Sequence, residues 1–254
     1  MGKKIKLSIV TATYNSGDTI LKLINIFKKN KNESVEWIII DNNSFDNTID
    51  LIQKNRDFID IFITEKDNGI YDAWNKGVSL SQGDYISFIG SDDIICDTYF
   101  KESLRAISEN TNYNIISFKL SYIYGNKSKT LNVSNYKKPS NFPVNLGFYH
   151  PGTIHSRELF IGNCFDVEFK IAGDREFLTR LYLKLKPVII NTDRCQIIHY
   201  HGGISTNNKF KLLQHKEVLK IILKIPNKTN IIIYNLIVTY LKYFYYKIKI
   251  QFAN

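Results

Sequence analysis

An α/β fold, with a mostly parallel central sheet and helices on both faces, is predicted by three observations on this 254-residue chain. Strand-like and helix-like segments alternate from Leu7 to Asp93, polar residues crowd the end of each strand segment, and the composition is ordinary for a globular protein. Leu7 to Thr13 is a β-branched run that ends in Tyr14-Asn15-Ser16-Gly17, which reads as a buried strand and a turn. Asp18 suits the cap of a helix whose apolar face is Ile20, Leu23, Ile24 and Phe27. Trp37 to Ile40 is a second buried strand, and Asp46-Asn47-Thr48 opens a second helix with Ile49 and Ile52 inward. Asp60 to Thr64 is a third strand, and Ile70, Ala73, Trp74, Gly77 and Val78 mark a third helix. Tyr85 to Ile89 is a fourth strand, ending at Gly90-Ser91-Asp92-Asp93. Ligands of such sheets sit beyond the carboxyl ends of the strands. The polar stretches Thr11–Asn15, Asp41–Ser44, Glu65–Asn68 and Ser91–Asp93 therefore predict one shared crevice.

The second half is less regular. Phe100, Leu104 and Ile107 suit a helix, and Ile115 to Tyr124 meets Gly125-Asn126 as a hairpin into Thr130 to Val133. Lys137 to Asn145, with Pro139 and Pro143, reads as a loop, and Phe148 to His155 as a strand near the site. Asp174 to Leu185 is helical, with Phe177, Leu178 and Leu181 inward, and Pro187–Asn191 and Gln196–Tyr200 are short strands. With no internal repeat and no flexible linker, the expectation is one continuous domain over residues 1–206 and a C-terminal helical appendage over 207–254.

The 34 basic residues exceed the 24 acidic ones, a net charge of +10 that implies an anionic partner: a nucleic acid, a membrane surface or a phosphorylated substrate. Cys96, Cys164 and Cys195 lie far apart without CxxC spacing, which argues against a zinc site or a disulfide framework and fits a reducing cytoplasm. The apolar run within MGKKIKLSIVTATYN is too short for a signal peptide, and the residues after Gly2 lack the Ser or Thr of a myristoylation signal.

Two adjacent carboxylates, Asp92 and Asp93, follow a buried strand. Hard oxygen ligands there suit Mg²⁺ or Mn²⁺ bridging a diphosphate; the plainer reading is a cap for the next helix. The segments LSIVTATYN, IIIDNNSFDNT, EKDNGIYDAWNKG and GDYISFIGSDD occur in the order that resembles a family 2 inverting glycosyltransferase of the GT-A fold, with a Rossmann-like sheet. YHPGTIHSRELF, IAGDREFLTRL and HGGIS resemble the subgroup that builds bacterial O-antigens and capsules.

The resemblance implies a nucleotide-binding half over residues 1–100 and an acceptor-binding half over 101–206. By it, Thr11, Thr13 and Tyr14 line a uracil pocket and Asp41 and Asn42 bond the base. Asn42 stands where the family commonly has a second Asp, and an amide still offers both a donor and an acceptor to a uracil edge. Asn68 and Asp72 reach the nucleotide, Asp92 contacts ribose or sugar, and Asp93 binds Mn²⁺ or Mg²⁺. Asp174 matches the base that inverting transfer needs, although Gly173 replaces the usual Glu before it; by position alone it is a first-turn helix acid. His201, in a glycine-rich loop, is either a further metal or phosphate ligand or an exposed turn residue. His150 either bonds an acceptor hydroxyl or is a satisfied core histidine.

Asn230 to Tyr246 is rich in Ile and Tyr and flanked by lysines. It is short for a spanning helix, which needs roughly 20 mostly apolar residues. Lysines beside aromatics suit the surface of the inner membrane; the alternative is packing on the domain or on a second subunit. The expected partners are a UDP-sugar donor and an undecaprenyl-diphosphate-linked saccharide acceptor, with the enzyme peripheral on the cytoplasmic membrane face. A nucleotidyltransferase would be expected to carry a glycine- and lysine-rich loop after the first strand, which Thr13–Gly17 is not. Nucleic-acid binding would need a recognisable basic motif, whereas the lysines here concentrate among aliphatics in the tail.

Overall fold

The computed structural model describes residues 4–109, 111–124, 127–131, 148, 150–186, 188–200, 208–226 and 230–251. The chain alternates β1 (Leu7–Thr13), α1 (Ile20–Asn30), β2 (Val35–Asp41), α2 (Thr48–Gln53), β3 (Ile61–Thr64), α3 (Ile70–Leu80) and β4 (Tyr85–Phe88). It continues through β5 (Ile94–Ile95), α4 (Tyr99–Glu109), β6 (Ile115–Tyr124), β7 (Lys127–Leu131) and β8 (Ile154–Ser156). It ends with α5 (Gly173–Leu185), β9 (Ile189–Tyr200), α6 (Asn208–Lys224) and α7 (Asn230–Gln251). The described strands form one sheet in the order β3-β2-β1-β4-β8-β6-β9-β5, with β7 pairing β6.

The first four strands in that order are mutually parallel, as alternation with helices requires. Beyond them β8 runs antiparallel to both β4 and β6, and β9 runs parallel to β6. β9 is one strand where two were expected, and its register against β6 shifts between Phe118 and Lys119. The expected strand over Phe148–His155 shrinks to Ile154–Ser156, because Gly152 turns the backbone at φ +65°.

Successive residues of β1 face opposite sides, so each face collects its own core. Leu7 and Ile9 pack with Ile20, Leu23, Ile24 and Phe27 of α1, Ile52 of α2 and Phe100 of α4. The spacing of the four α1 residues makes one helical stripe, and each is worth about 1.5–3 kcal/mol when buried. Phe27 stacks on Trp37 at 3.7 Å between ring centroids. Val10, Ile86 and Phe88 pack on the other side against Tyr71 and Trp74 of α3, Phe177 and Leu181 of α5, and Ile221 and Ile222 of α6. Helices thus cover both faces, and α6 belongs to the core. Glu217 of α6 is buried and accepts N–H bonds from Lys170, Ile171 and Ala172 at 2.7, 3.0 and 2.8 Å, which ties α6 to the start of α5.

His150 and His155 are buried in the second core, with ring centroids 5.1 Å apart. Among the described residues His150 Nε2 has no hydrogen-bond partner. Burial pulls the imidazole of His150 down to about 3 and that of His155 well below the usual histidine value. The unfolded chain protonates both below about pH 6.5, and the folded chain does not. Stability is therefore complete above that pH and is lost as pH falls from there toward 3. His150 is expected to cost about 2 kcal/mol at pH 5, with a further loss of the same sign from His155, read as a fall in the urea midpoint between pH 7.5 and pH 5. His150→Gln, which does not titrate, should lose the His150 share of that pH dependence whatever its own stability.

Candidate active site

The parallel strands end in a crevice of about 450 Å³ lined by Thr13, Tyr14, Asn15 and Ser16 after β1, Asn42 after β2, Asp67, Gly69 and Ile70 around the start of α3, and Gly90, Ser91 and Asp92 after β4. This is the crevice that the polar strand ends predict. Its rim is tied together by side chains. Ser16 Oγ lies 2.8 Å from Ser91 Oγ, and Asn15 Oδ1 accepts from Phe45 N at 3.0 Å. Tyr14 and Phe45 are 56% and 81% exposed and meet edge to face at 6.2 Å, leaving aromatic surface at the mouth.

Asp41 sits elsewhere than expected. It is fully buried, and Oδ1 accepts from Thr13 Oγ1 and Ser44 Oγ while Oδ2 accepts from Ser44 N and Thr64 Oγ1, all within 2.5–2.9 Å. Four donors occupy its carboxylate, so it staples β1, β2 and β3 together and shapes the pocket instead of bonding the base. Thr11 is likewise turned inward, accepting from Trp37 Nε1 at 3.0 Å. Asn42 does reach the crevice. Its Oδ1 accepts from Asp67 N at 2.8 Å, which leaves the amide N–H₂ facing the ligand space. Asp67 was not singled out by the sequence, although EKDNG contains it; burial raises its carboxyl above the ordinary range.

Asn68 and Asp72 are not among the residues that line the crevice; Asp72, in the first turn of α3, accepts from Asn68 N with Oδ2 at 2.9 Å. Asp92 is exposed on the crevice wall, whereas Asp93 is buried behind it, with Oδ2 accepting from Gly90 N at 2.8 Å. Both carboxylates converge beside Gly90, where an added Cβ would stand 2.9 Å from Asp92 Oδ1 and 3.1 Å from Asp93 Oδ2. Two hard oxygen donors at one point fit a divalent cation whose remaining ligands come from a diphosphate and water. No group of three or more His, Cys, Asp or Glu that would hold a metal by itself occurs among the described residues. His201 lies outside the described residues.

Asp174 is in the first turn of α5 and half-buried, with the Tyr71 hydroxyl donating to its Oδ1 at 3.3 Å. Burial raises its carboxyl above the ordinary range, opposed by the Arg175 N–H and guanidinium and by Tyr71. Asp174 is not among the residues that line the crevice; its partner Tyr71 directly follows Ile70, which is. His150 is not on the wall. Its ring stacks on Trp74 at 5.0 Å and Phe88 at 5.4 Å, enclosed in the core, and this placement corrects the expected contact with an acceptor hydroxyl.

Residues 8–181 match the model of glycosyl transferase family 2. This chain belongs to that family. The glycosyltransferase GlyG of Streptococcus pneumoniae is 23% identical over 84% of this chain and 67% of its own length. The family 2 chain is also 33% identical, over 43% of its length and 46% of the relative's, to WfaP of Escherichia coli, a UDP-Glc:alpha-D-GlcNAc-diphosphoundecaprenol beta-1,3-glucosyltransferase. Among solved structures, Staphylococcus aureus TarS 1–349 in complex with UDP-GlcNAc superposes with a TM-score of 0.69 at 19% identity, covering 88% of this chain and 68% of that one. The mannosyltransferase PcManGT of Pyrobaculum calidifontis, in complex with GDP-Man and Mn²⁺, gives 0.66 at 12% identity, covering 92% and 68%. The fold is GT-A, and this family 2 member is a glycosyltransferase. The nucleotidyltransferase and nucleic-acid readings give way to that membership.

Proposed function

We propose that this glycosyltransferase moves a hexose (glucose, galactose or N-acetylglucosamine) from a UDP-sugar to a lipid-linked saccharide with inversion, making a β-linkage in a bacterial surface polysaccharide such as an O-antigen or capsule. The observation that carries this is the crevice, which offers an aromatic mouth, an amide and a carboxylate for a base edge, and Asp92 on its wall with Asp93 converging from behind. Asn42 Nδ2 is available to donate to a uracil carbonyl and Asp67 to accept the ring N–H, while Tyr14 stacks on the base. The lining carries Asp67 and Asp92 and neither Lys nor Arg among the described residues, so a diphosphate needs a cation to settle there. Asp92 and Asp93 would hold Mn²⁺ or Mg²⁺, which when bound supplies positive charge to the departing diphosphate. Asp174 takes the proton of the acceptor hydroxyl as its oxygen attacks the anomeric carbon, the bond to UDP breaks, and the sugar is inverted. The test is a donor panel: each UDP-sugar and GDP-mannose with Mn²⁺ and a lipid-diphosphate saccharide, product read by mass. Turnover of GDP-mannose with no UDP-sugar consumed would end the uracil assignment.

Such an acceptor is met at the bilayer, and α7 supports docking on the cytoplasmic face of the inner membrane. No described helix is long and apolar enough to cross a membrane. α7 nevertheless exposes Tyr234, Ile237, Tyr240, Leu241, Phe244, Tyr245 and Ile248. From residue 208 onward nine lysines (Lys209, Lys211, Lys216, Lys220, Lys224, Lys228, Lys242, Lys247 and Lys249) face a single acidic residue, the buried Glu217. Lysines at an anionic leaflet contribute about 1 kcal/mol each, and exposed aromatics add burial at the headgroups. A chain ending at Pro226 keeps α6 and is expected to fold and bind UDP, yet no longer to sediment with anionic vesicles. Its activity should fall more on a long-chain lipid acceptor than on a short soluble analogue. Insoluble protein or a changed oligomer would instead mark α7 as core or subunit interface.

A further inference from the structure

The first turn of α3 carries both Ile70, on the crevice wall, and Tyr71, whose hydroxyl donates to Asp174. The ring is buried, edge-on to Trp74 at 5.4 Å and stacked on Phe165 at 5.7 Å. Phe165 is itself clamped, donating its N–H to Asn75 Oδ1 and accepting from Asn75 Nδ2, both at 2.9 Å. The Tyr71 ring thus has one available position, and little further ordering is needed for its hydroxyl to donate to Asp174. Its remaining face meets Gly173. A Cβ at residue 173 would stand 2.6 Å from Cε2, 2.7 Å from Cδ2 and 2.9 Å from Cζ of that ring, closer than real Cβ atoms approach. Any side chain at residue 173 would push the phenol away, so the departure from the family's Glu is matched by what Tyr71 occupies.

We propose that Tyr71 is the positioning residue for Asp174, holding one carboxylate oxygen so that the other meets the acceptor hydroxyl, and that Gly173 is the paired small residue that admits its ring. The proposal rests on the reading of Asp174 as the base. The Arg175 N–H holds the Asp174 carboxylate from its own helix, and the fixed Tyr71 donor 3.3 Å away adds a second restraint from α3. Bonds of this kind are often long in free enzymes and tighten in the reacting complex. Burial, and then the charge of Asp174, push the phenol well above its ordinary range, so it stays protonated and a donor at every working pH. The groups that act on Asp174 among the described residues are the Arg175 N–H and guanidinium and the Asp174 N–H on its own helix, and Tyr71 from α3.

Tyr71→Phe keeps the ring and its contacts and removes only the donor. UDP affinity by calorimetry should stay within about twofold, and kcat should fall about tenfold. Because the lost bond favours the charged carboxylate, the acid limb of kcat/KM should move up by about one pH unit. Gly173→Ala, which displaces the ring, should reproduce that shift. In an Asp174→Asn background, Tyr71→Phe should have no further effect on transfer. An unmoved acid limb in Tyr71→Phe, or a further tenfold loss in the double variant, overturns the proposal. Near-normal transfer by Asp174→Asn alone would overturn instead the reading of Asp174 as the base, which keeps the two failures apart.

Discussion

Asp93→Asn is expected to lower transfer by about 10³-fold or more and to make UDP binding indifferent to Mn²⁺. The amide oxygen can still accept the Gly90 N–H that the carboxylate accepts at 2.8 Å, so the loop keeps its shape and the change isolates the charge. The size of the effect follows from the pocket. Among its described lining residues the charges are those of Asp67 and Asp92, both negative, and the leaving diphosphate adds more. A bound cation facing that charge is worth several kcal/mol in the transition state, and about 4 kcal/mol is 10³-fold in rate. Asp92→Asn, which alters the exposed member of the pair, should show the same loss of Mn²⁺ dependence. EDTA should silence the wild type, and Mn²⁺ should restore it. The measurements are single-donor turnover and calorimetric UDP titration with and without Mn²⁺. Near-normal turnover of Asp93→Asn, insensitive to EDTA, would remove the acidic pair from the metal site.

Asp174→Asn should leave UDP affinity within about threefold while transfer falls 10²-fold or more, because the amide keeps the size and hydrogen bonding of the side chain but cannot take a proton. The wild-type rate should decline as pH falls through the pKa of Asp174, which burial holds above the ordinary aspartate range. That shift has a second consequence. A carboxyl with a raised folded pKa is, at neutral pH, a charge that destabilises the fold, so Asp174→Asn should melt no lower than the wild type at pH 7.5. Loss of activity with unchanged or increased thermal stability separates a catalytic carboxylate from a helix cap, whose removal lowers stability. Equal loss of UDP binding and transfer would assign Asp174 to the donor site.

The sheet's parallel half was legible because its signals are local. Apolar runs such as Trp37 to Ile40, helical stripes such as Ile20, Leu23, Ile24 and Phe27, and polar residues at strand ends each appear within a short window. The second half was less so. β9 crosses a register shift that no periodicity marks, and α6 is joined to the core by Glu217 bonding to backbone more than forty residues earlier. Within the site, Thr13, Tyr14, Asn42 and Asp92 could be named from position at strand ends. Asp67 and Ser91 fall within stretches expected to line the crevice but received no role, and Ser16 and the exposed ring of Phe45 were passed over, because nothing in their own segments distinguishes them from loop residues.

What the sequence by itself determined is the alternation of elements, the crevice at the strand ends and the family motifs that identify the chemistry. What only the tertiary structure decided is which polar groups face the ligand and which are spent on the protein. Asp41 is consumed by donors from three strand ends and Thr11 by an indole, while His150 is enclosed by aromatic neighbours. Tyr71 finds Asp174 across 103 residues of chain. The physical reason is that a polar group's exposure and its partners are set by whatever packs against it. Those neighbours come together only when segments far apart in sequence are packed.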